Sequence, residues 1–201
     1  MAKHKAVARK IIKKKRNVVR GVAPRKPKPK SKLNEKSTPR PKPKQRLKPK
    51  PLKLTVDLVP QTQWSKNLRG QVRSSVWDKL RKEAYAQAGF KCQICNAEGR
   101  LNCHEIWEYD EKNLVQHLIG FHAVCSMCHH VTHYGMSSIL ASRGQLDIED
   151  VVKHFMKVND VSREAFEEHL LEATDIWRHR SQFEWVLDYG QWAALLPEKP
   201  A

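Results

Sequence analysis

Two C-x-x-C pairs, Cys92/Cys95 and Cys125/Cys128, constrain this chain more than any other feature. A C-x-x-C turn aims two thiolates at one ion, and two such turns complete a tetrahedral site. About thirty residues separate the pairs, enough for a hairpin between them. Residues 92–128 carry few large aliphatics in regular register. A zinc ion held by the four cysteines would supply folding free energy that so small a local core cannot. Four reduced core thiols are a poor alternative, because packing does not ask for C-x-x-C spacing. "CSMCH" at 125–129 also matches a haem-attachment pattern, but that chemistry needs export and no export signal is visible. A dithiol redox pair would need a βαβ setting that the surrounding pattern lacks.

The stretch "VCSMCHHVTH" at 124–133 holds more ligand types than one zinc site uses. His129 and His133 lie four residues apart and share a face if the segment after Cys125 is helical. His130 falls off that face and reads as a bystander or a phosphate contact. Upstream, "LNCHEIWEY" reads as a strand carrying Cys103, His104 and Glu105. Neighbours on a strand point to opposite faces. Cys103 and His104 therefore reach one ion only if the strand ends or bulges there, and Glu105 is an alternative ligand or base.

Charge divides the chain. Residues 1–53 hold twenty-two of the 38 Lys and Arg and only one of the 21 acidic residues, Glu35. That segment is near +21 and the remainder near −4, so the net +17 belongs to the tail. Its Lys-Pro alternation blocks helices and ladders, and it has few apolar groups to offset chain entropy. A disordered, partly polyproline-like arm is expected at 1–53. Lys13, Lys14, Lys15, Arg16, Lys26, Lys28, Lys30, Lys42 and Lys44 are its candidate phosphate contacts, giving salt-sensitive binding without sequence preference. Double-stranded DNA is the expected partner. No apolar run is long enough to span a membrane. The N-terminus lacks an apolar signal core, so a cytoplasmic location is expected, nucleoid-associated or in a phage-infected host.

Beyond the tail, "LKLTVDLVP" predicts a short strand at 52–59, stopped by Pro60. "SSVWDKLRKEAYAQAG" predicts a helix capped by Ser74 or Ser75 and ended by Gly89 in the left-handed region. "DIEDVVKHFMKVN" and "SREAFEEHLLEATDIWRHR" predict two helices, and "FEWVLDYG" a strand at 183–189. Glu164, Glu167, Glu168 and Glu172 argue against DNA readout by the second helix, so a packing subdomain is expected. Met156, His154 and His169 read as ordinary core or surface residues. The expected domains are 1–53, 54–140 and 141–201.

"FKCQIC…LNCHEIWEY…AVCSMCHHVTH" resembles the zinc-ribbon-bearing branch of the HNH endonucleases. The span from about 58 to 188 looks like a small, mostly uncharacterised bacterial and phage group of that type. The resemblance implies an α+β fold: a zinc-stabilised ββα-metal, treble-clef-like core with flanking helices. It implies structural Zn2+ on Cys92, Cys95, Cys125 and Cys128. It further implies a second divalent ion (Mg2+, Mn2+, Ni2+ or Zn2+) on His129 and His133, with His104 as general base. Cys103 stands where the family has an Asp or His ligand and would favour zinc over magnesium. Gly120 stands where the family has a central Asn. The expected function is metal-dependent hydrolysis of DNA phosphodiesters. The alternative is a non-catalytic zinc module that binds nucleic acid or protein.

Overall fold

The computed structural model describes residues 51–197. The nine candidate phosphate-binding residues and residues 1–50 of the arm expected to be disordered lie outside them; the last residues of that arm, 51–53, are described and are held in place, Leu52 against the core and Lys53 N–H on Asn159 Oδ1. The described part is a mixed α+β unit built around a three-stranded sheet. Strand β1 (Leu101–Asp110) pairs antiparallel with β2 (Val115–Cys125), and the short β3 (Val186–Asp188) adds parallel to β2. The strand expected at 183–189 is thus present in its central residues. A bulge in β2 falls at Ile119, between the pairs Ile106↔Gly120 and Trp107↔Leu118. Cys103↔Ala123 and His104↔His122 remain in regular register.

The helices are α1 (Leu68–Gln71), α2 (Ser74–Gln87), α3 (Ser126–Thr132), α4 (Tyr134–Ser142), α5 (Ile148–Asn159) and α6 (Arg163–Arg180). Gly89 has φ +59°, as its place after α2 requires. Gly89 N–H donates to Ala86 and Phe90 N–H to Tyr85, which closes the helix. The start of α2 departs from expectation. Arg73 is the N-cap and makes no side-chain cap bond, because the helix begins at Ser74 itself.

The segment 52–59 is not a strand. Its alternation is real, since Leu54 and Val56 are buried, but no strand lies beside it. Helix side chains satisfy its backbone instead. Asn159 Oδ1 accepts from Lys53 N–H at 2.8 Å and from Leu54 N–H at 3.0 Å, and Asn159 Nδ2 donates to the Leu54 carbonyl at 2.8 Å. Val56 N–H donates to His169 Nε2 at 2.9 Å, and that ring stacks on Phe155. Asn159 and His169, unremarkable in sequence, act as a surrogate strand.

One apolar core joins the cysteine region to the C-terminal helices. Leu54, Val124, Val131, Val151, Val152, Phe155 and Phe166 are buried together, with Cys92 and Cys128 among them. The division read in the sequence at 140/141 falls within this shared core. A second cluster of Leu68, Val72, Trp77 and Leu118 lies between α2 and the hairpin. Among the described residues no helix is long and apolar enough to cross a membrane.

Asn159→Ala leaves the buried Leu54 N–H and the partly buried Lys53 N–H without an acceptor. It is expected to lower stability by about 2–4 kcal/mol in denaturant titration. A loss below about 0.5 kcal/mol would show that the 52–59 segment does not depend on this side chain.

Candidate metal centres and the cleft between the elements

Cys92 and Cys95 sit on a turn after α2, where Asn96 (φ +61°) and Gly99 (φ +116°) reverse the chain. Cys92 N–H donates to the Ala97 carbonyl and Asn96 N–H to Cys92. The turn docks on the hairpin through Gln93, whose Oε1 accepts from Ala123 N–H and whose N–H donates to the Ala123 carbonyl. Cys125 ends β2 and is the N-cap of α3, its Sγ accepting from Cys128 N–H at 3.4 Å. One C-x-x-C is therefore a turn and the other a helix start. The four sulfurs lie within 4.8 Å of one another, an arrangement able to hold a metal ion such as zinc.

The electrostatics of the tetrad fit a cation. Burial opposes ionisation of Cys92, yet the N–H groups of Cys125, Cys95 and Ile94 bring it down to about 7. Burial, then the neighbouring Cys92 and Cys125, push Cys128 far above the ordinary thiol range. A divalent ion relieves that crowding by stabilising every thiolate at once. His154 on α5 brings Nε2 to 3.2 Å from Cys128 Sγ. This histidine, expected to be ordinary, is a partner of the tetrad. Nothing in its local sequence marks it, because the contact spans two elements.

The second cluster is histidine. His104 of β1, His129 of α3 and His133 at the α3–α4 junction place one nitrogen each within 4.8 Å of one another. His104 Nδ1 is 3.1 Å from His133 Nε2. His129 and His133 stand one helical turn apart, with His133 N–H donating to the His129 carbonyl. All three imidazoles stay neutral at pH 7. Burial, then repulsion from His133, His129 and His122, pushes His104 down to about 3. Burial, then His133 and His130, pushes His129 down to about 4. Burial also lowers His133. Three neutral imidazoles converging from two elements are a donor set for a divalent ion with a further position open.

Cys103 is not part of that cluster. Regular pairing at 103 and 104 turns its thiol to the other face of β1, where it packs with Trp77 and Leu68. Burial, then the Glu105 carboxylate, pushes Cys103 up to about 12; it is its place on the far face of β1 that keeps it from the histidines. Glu105 has a structural task. Its carboxylate accepts from Leu68 N–H and Arg69 N–H at 3.1 and 3.0 Å and from Trp107 Nε1 at 3.1 Å, capping α1. Burial raises its pKa, against the pull of these donors. His130 lies outside the cluster, as its place off the His129–His133 face implies. Its Nδ1 lies 3.2 Å from Ser137 Oγ, which donates to the His130 carbonyl at 2.8 Å. His122, opposite His104 across the hairpin, is a further imidazole near the cluster that sequence reasoning did not single out.

The histidines open into a cleft of about 520 Å³ that also reaches Cys103, Glu105, Trp107, Lys66 and Arg69. Consecutive β1 residues from both faces line it, so it follows the outer edge of β1, the unpaired border of the sheet. Compared with protein-family models, with curated proteins and with solved structures, the chain matches none.

Purified protein is expected to carry one zinc per chain in the tetrad. Cys95→Ser should lose that zinc and, with it, far-UV helical signal and cooperative unfolding. Retention of both by a zinc-free variant would show that the tetrad is not a folding site.

Proposed function

We propose that this chain is a metal-dependent endonuclease of the HNH type, hydrolysing DNA phosphodiester bonds at the three-histidine cluster. The convergence of His104 from β1 with His129 and His133 from α3, the helix that Cys125 and Cys128 begin, on the lining of a cleft carries this reading. The succession of hairpin and helix, β1–β2–α3, agrees with the ββα-metal core that the resemblance implies. A divalent ion bound by the three imidazoles would supply Lewis-acid activation of water and stabilise charge on phosphorus and on the leaving 3′ oxygen. The residues of the chain hold and orient. β1 and α3 each present imidazole from a hydrogen-bonded, partly buried backbone, so the donor set is arranged before any ligand arrives. Arg69 and Lys66, on the cleft wall, offer positive charge to a phosphate chain. The basic segment 1–53 adds a salt-sensitive hold on DNA.

His104 is assigned here a different part from the one the resemblance implies. Its Nδ1, 3.1 Å from His133 Nε2 and grouped with a nitrogen of His129, suits a third ligand better than a base.

Two measurements test this together. Wild-type protein with Mg2+, Mn2+, Ni2+ or Zn2+ should nick supercoiled plasmid. His104→Ala and His129→Ala should each nick at least about a hundredfold more slowly, since even outer-shell changes at metal sites cost 10–100-fold. Both variants should also lose a second, exchangeable metal while keeping the tetrad zinc. If His104→Ala keeps the second metal and loses only nicking, His104 is the base and not a ligand. If folded wild type leaves DNA intact with every metal, the nuclease reading fails.

Gly120 favours a second reading, a non-catalytic zinc module that binds nucleic acid or protein. It stands where the family has its central Asn, and only the Ile106 side chain comes near the place of a Cβ, at 3.7 Å. One zinc per chain, lost only on unfolding, would support that module.

A further inference from the structure

Three of the four tetrad sulfurs accept hydrogen bonds from the backbone. Cys92 accepts from the N–H groups of Cys125, Cys95 and Ile94, Cys95 from that of Ala97, and Cys125 from that of Cys128. Cys128 is placed differently. It is fully buried, at 0% exposure, and the groups that act on its thiol most are the other cysteines. Its hydrogen-bond partner outside the tetrad, among the described residues, is the His154 imidazole, with Nε2 3.2 Å from Sγ. Packing puts the ring there. His154 lies on α5 between Val151 and Phe155, and both are buried with Val131 of α3, in the first turn of which Cys128 stands. Among the described residues the ring has no other hydrogen-bond partner, so no competing task fixes it.

A filled tetrad needs such a donor. Four thiolates outweigh the charge of one divalent cation, so the site is anionic, and Cys92 and Cys128 set it in the apolar core. Buried charge is costly unless it is hydrogen-bonded. A metal-bound thiolate has no proton to give, so an imidazole nitrogen beside it can only donate. We propose that His154 is the side-chain donor to the tetrad, its Nε2–H bonding to the Cys128 thiolate and tightening the hold on zinc. His154 is a positioning residue and not a ligand. The four sulfurs form the set whose atoms lie within 4.8 Å of one another, and the His154 nitrogen is outside that set. Partners of this kind orient ligands and offset their charge, and metal affinity falls when they are lost. The bond also links zinc to α5, an element that carries none of the four cysteines. It concerns the tetrad alone and holds whether or not the histidine cluster cuts DNA.

The full chain and the metals alone test this. In chelator competition, His154→Leu, which has no side-chain N–H, should hold the tetrad zinc about 10–100-fold less tightly than wild type. His154→Gln restores an N–H donor and should recover most of that loss, which a role in packing alone would not produce. Cobalt bound in place of zinc should show the absorption of four thiolates in wild type and in His154→Leu alike. Wild type decides by itself should a variant fail to fold: nitrogen NMR spectra of the zinc-loaded chain should find a His154 proton on Nε2. The proposal is overturned if His154→Leu holds zinc as tightly as wild type, or if His154→Gln is no better than His154→Leu. It is overturned too if the cobalt spectrum changes in His154→Leu, which would make the ring a ligand, or if Nε2 carries no proton.

Discussion

The convergence of four thiols on one point is the constraint on which the rest depends. Cys92 and Cys95 belong to a turn held by the Lys91↔Glu98 bridge and by the Gln93 contacts with Ala123. Cys125 and Cys128 belong to the end of β2 and the first turn of α3. Bringing the pairs together ties the turn to the hairpin and sets the direction in which α3 leaves the sheet. That direction decides everything downstream. His129 follows Cys128 directly, and His133 lies one turn further on, so the tetrad and the histidine cluster share a short, stiff piece of backbone. The apolar core reinforces the same junction, because Val131 of α3 is buried against Val151, Val152 and Phe155 of α5.

The two faces of β1 then separate structure from chemistry. Cys103 and Glu105 turn to the face covered by α1 and α2, where one is a packed thiol and the other a helix cap. His104 turns to α3. The separation rests on regular pairing through residues 101–106, and the bulge that breaks the pattern comes later, at Ile119. Had it fallen near 103, the thiol and the imidazole would have shared a side. The cleft along the sheet's open edge lies next to both sets, which is why residues of opposite faces line it together.

Several elements were legible because they rest on local rules. Helices α2, α5 and α6 follow from apolar spacing, and the end of α2 from Gly89; the side-chain caps Asp147 of α5 and Ser162 of α6 are seen in the structure. The segment 52–59 shows where local rules stop. Its alternation correctly marks Leu54 and Val56 as inward-facing, yet alternation describes burial and does not identify the hydrogen-bond partner. That partner is a helix-borne Asn159, more than a hundred residues away. The same holds for His154 beside Cys128 and for Gln63 beside Trp185.

The sequence by itself determined the ligand chemistry. Two C-x-x-C pairs and a His-x-x-x-His spacing are short-range offsets, and backbone geometry over one turn turns such offsets into shared direction. Only the tertiary structure decided which groups complete each cluster. His104 joins the histidines and Cys103 does not, because strand register and the exit angle of α3 are set by pairing and packing across the whole unit.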